Sequence, residues 1–225
     1  MHRKIAYLSL IVMIPVLLMM VKPHLIVSYK INSNKMMPIF HKNETVWASS
    51  LIKPTYNRII CFTSKVQDPS SKTENVIISR ILGLGGDTIE LNDGYILRNG
   101  LIADNPYQLM FIYYAKKYFI YDLKLLDKLS IPSLIIKDTV LINLTSMEYK
   151  KLSYNVLLRK INNPSLLNHY LNNKCNKITV RNENDIQIIV PEGCCFVIGD
   201  NRGEEYFPLK SGIVKLADIK ASVFY

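Results

Sequence analysis

Two serines and one lysine carry the chemistry this sequence can offer. Ser33 and Lys35 stand in "SNKMMP" (33–38), and Ser79 opens "SRILGLGGD" (79–87). A serine hydroxyl attacks a carbonyl when a neighbouring group takes its proton, and a lysine amine held neutral by desolvation can take it. Ser79 with Lys35 is one such pair. Ser33 with Lys35 is another, because residues two apart on an extended stretch point their side chains the same way. Histidine chemistry is not supported: His2, His24, His41 and His169 are scattered, without metal spacing or a carboxylate–histidine–serine pattern. The four cysteines, Cys61, Cys175, Cys194 and Cys195, form no CxxC, so neither a zinc site nor a redox motif is expected. "GLGGD" is not followed by Lys-Ser or Lys-Thr, which argues against a phosphate-binding loop. The expectation is a site with no metal and no cofactor.

These residues need a scaffold, and the chain can build one. Its 225 residues suit one domain with an elaboration, and a hydrophobic fraction of 49% excludes global disorder. The net charge is +10 and the pI about 9.3. The basic residues are scattered and no zinc-finger or RNP motif occurs, so the charge reads as a solvated surface and not as nucleic-acid binding. Residues 5–21, "IAYLSLIVMIPVLLMMV", are 17 uncharged, mostly apolar residues. As a helix they would reach about 26 Å, the short limit of a membrane span. "KPHLIVSYK" follows with no small-x-small cleavage site, so an uncleaved anchor over 1–22 is expected. Arg3 and Lys4 before it nearly balance Lys22 and Lys30 after it, which leaves its orientation open.

Beyond the anchor the pattern is mainly β. "ETVWASSLI" and "NRIICFTSK" are short runs rich in β-branched and aromatic residues. "ENVIISRILGL" alternates, placing Ile77, Ser79 and Ile81 on one face and Ile78, Arg80 and Leu82 on the other. "TIEL" and "YILRN" form a hairpin through Asn92-Asp93-Gly94, and Pro191-Glu192-Gly193 marks a second turn of the same form. Cys194 and Cys195 are expected as strand residues on opposite faces. "GIVKLADIKASVFY" supplies one or two closing strands. Residues 105–184 differ in texture and read as an inserted α/β module apart from the chemistry, with a helix over Leu123–Leu129. A second helix is expected after Thr145, whose hydroxyl and the Glu148 carboxylate satisfy each other's backbone donors. The core is then 23–104 and 185–225.

Three motifs in order behind an N-terminal anchor resemble the type I signal peptidases, membrane-anchored serine peptidases that remove signal peptides outside the cytoplasmic membrane. The family's Ser-x-Ser-Met-x-Pro corresponds to "SNKMMP", its Lys-Arg-…-Gly-x-Pro-Gly-Asp to "SRILGLGGD", and its Gly-Asp-Asn-Arg-x-x-Ser-x-Asp-Ser-Arg to "GDNRGEEYFPL" at 199–209. The resemblance covers about residues 1–103 and 188–225. It implies an antiparallel β catalytic core with one transmembrane helix. It also implies signal-peptide-bearing precursor proteins and the lipid membrane as partners, and a single-pass place in the bacterial inner (cytoplasmic) membrane with the soluble part outside.

It further assigns roles. Lys35 stands at the nucleophile position and Ser79 at the general-base position, so the two residue types have changed places. Ser33 holds the oxyanion position, and Glu205 replaces the serine that orients the lysine. Met36, Pro38, Arg80, Gly199, Asp200, Asn201 and Arg202 are expected to be structural near the site. Phe207 and Leu209 stand where the family has a paired Asp and Arg, and Gly85 replaces a proline, which should loosen its turn.

Three readings follow. The chain is a catalytically impaired or inactive relative that binds precursors or an active signal peptidase paralogue. It is a serine endopeptidase with a reversed Ser79/Lys35 or a Ser33/Lys35 dyad. Or it is a non-enzymatic envelope assembly protein. An ion pair between Lys35 and Glu205 would favour the first, and a Lys35–Ser79 hydrogen bond the second. A free strand edge with shallow apolar pockets would favour peptide binding over assembly.

Overall fold

The computed structural model describes residues 25–63, 76–92, 95–104, 109–116, 133–152, 157–158, 178–182, 185–203 and 212–225. The expected anchor and the helix over Leu123–Leu129 lie outside them, as do Cys175, Glu205, Phe207 and Leu209. No helix among the described residues is long and apolar enough to cross a membrane.

The fold is mainly β, as its alternating pattern implies. In chain order the strands are β1 Ile26–Lys30, β2 Thr45–Ser49, β3 Ile59–Thr63, β4 Val76–Leu84, β5 Thr88–Asn92, β6 Tyr95–Arg98, β7 Leu101–Ile102, β8 Met110–Lys116, β9 Ser133–Ile136 and β10 Thr139–Thr145. Helix α1 (Ser146–Leu152) follows, then β11 Leu157–Leu158, β12 Ile178–Asn182, β13 Asp185–Ile189, β14 Cys194–Ile198, β15 Ile213–Lys215 and β16 Ile219–Val223. A seven-stranded sheet runs β1-β2-β16-β3-β4-β14-β15, a five-stranded one β12-β13-β5-β6-β7, and a four-stranded one β11-β8-β10-β9. The pairings between these strands are antiparallel.

Alternation on β3 and β4 builds a core on each face of the large sheet. Ile59, Cys61 and Ile78 pack with Met36 on one face, while Ile60, Phe62 and Ile81 pack with Val197 and Cys195 on the other. Cys194 turns to a third cluster with Leu82, Ile89 and Phe196, so the two neighbouring cysteines do face opposite ways. In the four-stranded sheet, Val140, Ile142 and Leu144 alternate inward. The α1 cap forms as its sequence requires: the Thr145 amide and hydroxyl donate to Glu148 Oε2 at 2.7 and 2.8 Å, and the Glu148 amide donates to Thr145 Oγ1 at 3.2 Å.

Two expectations are revised. The Pro191–Gly193 turn does not close a hairpin: β13 pairs with β5 and β12, whereas β14 pairs with β4 and β15. The turn carries the chain from one sheet to another, beside the β4–β5 connection that crosses the other way. Nor is Gly85 in a loosened turn. The Gly86 amide donates to Val190 O at 2.9 Å and the Asp87 amide to Leu84 O at 3.0 Å. A Cβ on Gly85 would lie 3.0 Å from Glu192 Cα, so the two crossings pack against each other there. Strand β12, within the span assigned to the insert, extends the five-stranded sheet.

Candidate active site

The "SNKMMP" segment is a bend and a turn, not an extended stretch. The Met37 amide donates to Asn34 O, and the Ile39 and Phe40 amides donate to Met36 O, each at 3.0 Å. Asn34 Oδ1 accepts the Lys42 amide at 3.1 Å, the kind of side-chain bond by which asparagine favours turns. The Met37–Pro38 peptide is cis. Met36 is buried and seats the turn against Ile78 and Cys61.

The third motif fixes this turn from outside. Asn201, fully buried, donates its amide to Lys35 O at 2.8 Å and Nδ2 to Asn34 O at 3.1 Å. Its Oδ1 accepts Asn143 Nδ2 at 3.0 Å and the Gly203 amide at 3.1 Å. The Met110 amide donates to Asp200 O at 3.0 Å, and the Arg202 amide to Met110 O at 2.7 Å. Strands β8 and β10, in the span expected to be an insert, therefore hold the loop that holds the turn. Sequence reasoning set that module apart from the chemistry. Asn143 and Met110 bear no motif, and only the tertiary pairing brings them to the site. Gly203 fits because a Cβ there would lie 2.6 Å from Ile112 Cγ1.

Two buried ion pairs brace the same loop. Arg80 Nε donates to Asp200 Oδ1 at 2.8 Å and NH2 to Oδ2 at 2.6 Å, while NH1 donates to Asn57 O at 2.7 Å. Burial alone would pull the Arg80 guanidinium down, but its bonds to Asp200 and that carboxylate's charge outweigh this and raise it. Arg202 NH2 donates to Asp104 Oδ1 at 2.5 Å, and Asp104 Oδ2 accepts the Ile96 amide. Asp104 is a second partner that no motif announced. Tyr225, near the chain end, lies under Arg80 at 5.7 Å and edge-on to Phe40 at 5.9 Å. Gly199 is buried between β14 and this loop.

Beside the turn lies a cavity of about 250 Å³ lined by Ile31, Asn32, Ser33, Lys35, Met36 and Val76–Ile78. Ser33 and Lys35 thus share one cavity, although the backbone between them is bent. The β4–β14 pairing ends at Arg80↔Ile198, and no described strand lies beside Val76–Ile78 on that edge. Among the described residues no carboxylate pairs with the Lys35 ammonium.

Ser79 is elsewhere. It is fully buried, and its cross-strand partner Ile60 and same-face neighbours Ile77 and Ile81 belong to the apolar cluster facing away from Met36. Among the described residues its hydroxyl has no hydrogen-bond partner, so Lys35 Nζ does not bond it. A lysine at this position could carry its amine out of the apolar layer on four methylenes, but a serine hydroxyl stays inside it. The described residues place no cluster of three metal-capable side chains together.

A family model described as "Signal peptidase, peptidase S26" matches residues 4–206, nine-tenths of the chain. The chain belongs to this signal peptidase family. Members act on signal-peptide-bearing substrates and are typically membrane-associated. None of the curated proteins matches the chain. The three segments that resemble the family's motifs form the turn, the strand and the bracing loop. Within that frame Ser79 and Lys35 are kept apart, while Ser33 and Lys35 are brought together.

Proposed function

We propose that this chain is a signal peptidase homologue that binds signal-peptide-bearing precursors without cleaving them through the family's serine–lysine pair. Residues 1–22 anchor it in the bacterial inner membrane, with the β core (23–104 and 185–225) and its insert (105–184) on the outer side. The observation that carries this reading is the burial of the Ser79 hydroxyl. It lies inside an apolar layer, unbonded to Lys35 and closed to solvent, with no hydrogen-bond partner among the described residues. Attack requires reacting atoms about 3–3.5 Å apart, and a hydroxyl enclosed by its own sheet does not offer that approach. The Val76–Ile78 edge, beside which no described strand lies, and the largely apolar cavity support strand-like peptide binding, and favour it over a purely structural assembly role.

A second reading rests on the shared cavity. Ser33 is the attacking hydroxyl and Lys35 its base, both beside the peptide edge. Incubating the full-length protein in vesicles with signal-peptide-bearing precursors separates the two. The expected outcome is precursor binding with no specific cleavage. Cleavage lost in both Ser33→Ala and Lys35→Ala, but retained in Ser79→Ala, would install the Ser33/Lys35 dyad instead. Cleavage lost in Ser79→Ala would restore the reversed pair.

A further inference from the structure

The cavity's lining suits one kind of peptide end. Ile31, Met36 and Val76–Ile78 make it largely apolar, and Lys35 and Ser33 place an ammonium and a hydroxyl in it. Among the described residues no carboxylate lines it. An uncut chain passing through would present Lys35 with a neutral amide. A cut chain would present a carboxylate, with which an ammonium makes a charge-assisted hydrogen bond about twice as strong as a neutral one. At about 250 Å³ the cavity falls below the roughly 300–1,000 Å³ of sites for drug-sized ligands, so it takes the terminal residue of a peptide and not a long stretch of it. The β4 edge at Val76–Ile78, beside which no described strand lies, supplies the backbone partners for the extended residues before it.

We propose that this site is a receptor for the free C-terminal carboxylate of a short peptide ending in apolar residues, the product of a signal-peptide cleavage made elsewhere, with Lys35 as the carboxylate's partner and Ser33 beside it. This rests on the peptide-binding reading of the groove and names its ligand. The lysine at the attacking position then has a task of its own: it recognises what cleavage leaves behind.

Three fluorescein-labelled peptides test this on the full-length protein in nanodiscs, read by anisotropy. They share one apolar sequence ending Ala-x-Ala. One has a free C-terminus, one is amidated, and one continues for ten further residues. The free acid is expected to bind about tenfold or more tighter than the other two. Lys35→Met should reduce it to the amide's affinity, while Lys35→Arg should retain most of the preference. Equal binding of acid and amide, or tighter binding of the extended peptide, would overturn carboxylate capture and leave the peptide groove standing. Failure of all three to bind a protein that keeps its native near-ultraviolet circular dichroism would overturn the groove reading as well.

Discussion

Ser79 and Arg80 are neighbours on β4, point to opposite faces of one sheet, and are treated oppositely by the fold. Arg80 spends three of its donors on Asp200 and Asn57 O, with a ring beneath it. Ser79 spends none. The same division runs through most of the site, although Arg202 Nε and NH1 on the bracing side are also without a described partner. The bracing side, made of Arg80, Asp200, Asn201, Arg202 and Asp104, is buried and joined by charged or amide hydrogen bonds. On the reacting side, no described carboxylate pairs with Lys35 and the Ser79 hydroxyl is stranded. Buried polar groups are costly unless satisfied, so the bracing side is held by energetics that do not depend on catalysis. The reacting positions are free of that constraint and could exchange residue types while the frame persisted.

The largest effect should come from breaking the brace. Asp200→Ala leaves the Arg80 guanidinium buried and uncompensated, and should cost about 3–5 kcal/mol in denaturant unfolding. Replacing both partners with apolar residues, Arg80→Met with Asp200→Leu, should recover most of that loss. A cost below about 1 kcal/mol for Asp200→Ala would dissolve the contrast between the two sides.

A middle-sized effect belongs to the crossing between the sheets. The nearly buried Asp87 accepts the Leu84 amide at 2.8 Å, Tyr56 Oη at 3.0 Å and Asn99 Nδ2 at 2.9 Å. Burial pushes its carboxyl up, but these three donors and the nearby Arg98 outweigh burial and hold it below its ordinary 3.8. A depressed carboxyl contributes stability that is present above 3.8 and lost as the pH falls through the lower folded value. Asp87→Asn should therefore cost about 1–3 kcal/mol near neutral pH. The gap from the parent should narrow as the pH drops from about 4 toward 2, measured by urea unfolding at each pH. A gap that stays constant with pH would mean the carboxylate charge does no work there.

How far the site could be read from the chain follows from the range of each interaction. The Thr145–Glu148 cap spans three residues and is complete in its own sequence. The β4 alternation is equally local, and it correctly put Ser79 with Ile77 and Ile81. The bend at Ser33–Lys35 was missed because Asn34 bonds the Lys42 amide and bends a stretch that reads as extended. Asn143 reaches Asn201 across 58 positions, and Arg202 reaches Asp104 across 98. Nothing local marks such pairs, so the insert's part in holding the site was invisible. The Pro191–Gly193 turn failed for a related reason: turn chemistry is local, but distant strands decide which sheet each arm joins.

The smallest effect tests the stranded hydroxyl itself. An unsatisfied buried hydroxyl costs about 1–3 kcal/mol relative to a bonded one, and removing it without leaving a polar orphan should return part of that. Ser79→Ala should therefore stabilise the protein by about 1 kcal/mol, raising the denaturant midpoint without changing the slope. It should leave the affinity for peptide unchanged, because Ser79 does not line the cavity that Ser33 and Lys35 share. The sign is the informative part. A working nucleophile or base pays for its position, so replacing it usually stabilises a fold while abolishing activity. Stabilisation with unchanged binding and no activity to lose marks Ser79 as a residue the sheet tolerates. Destabilisation would mean that the hydroxyl has found a partner, and the division between the two sides of the site would then be drawn in the wrong place.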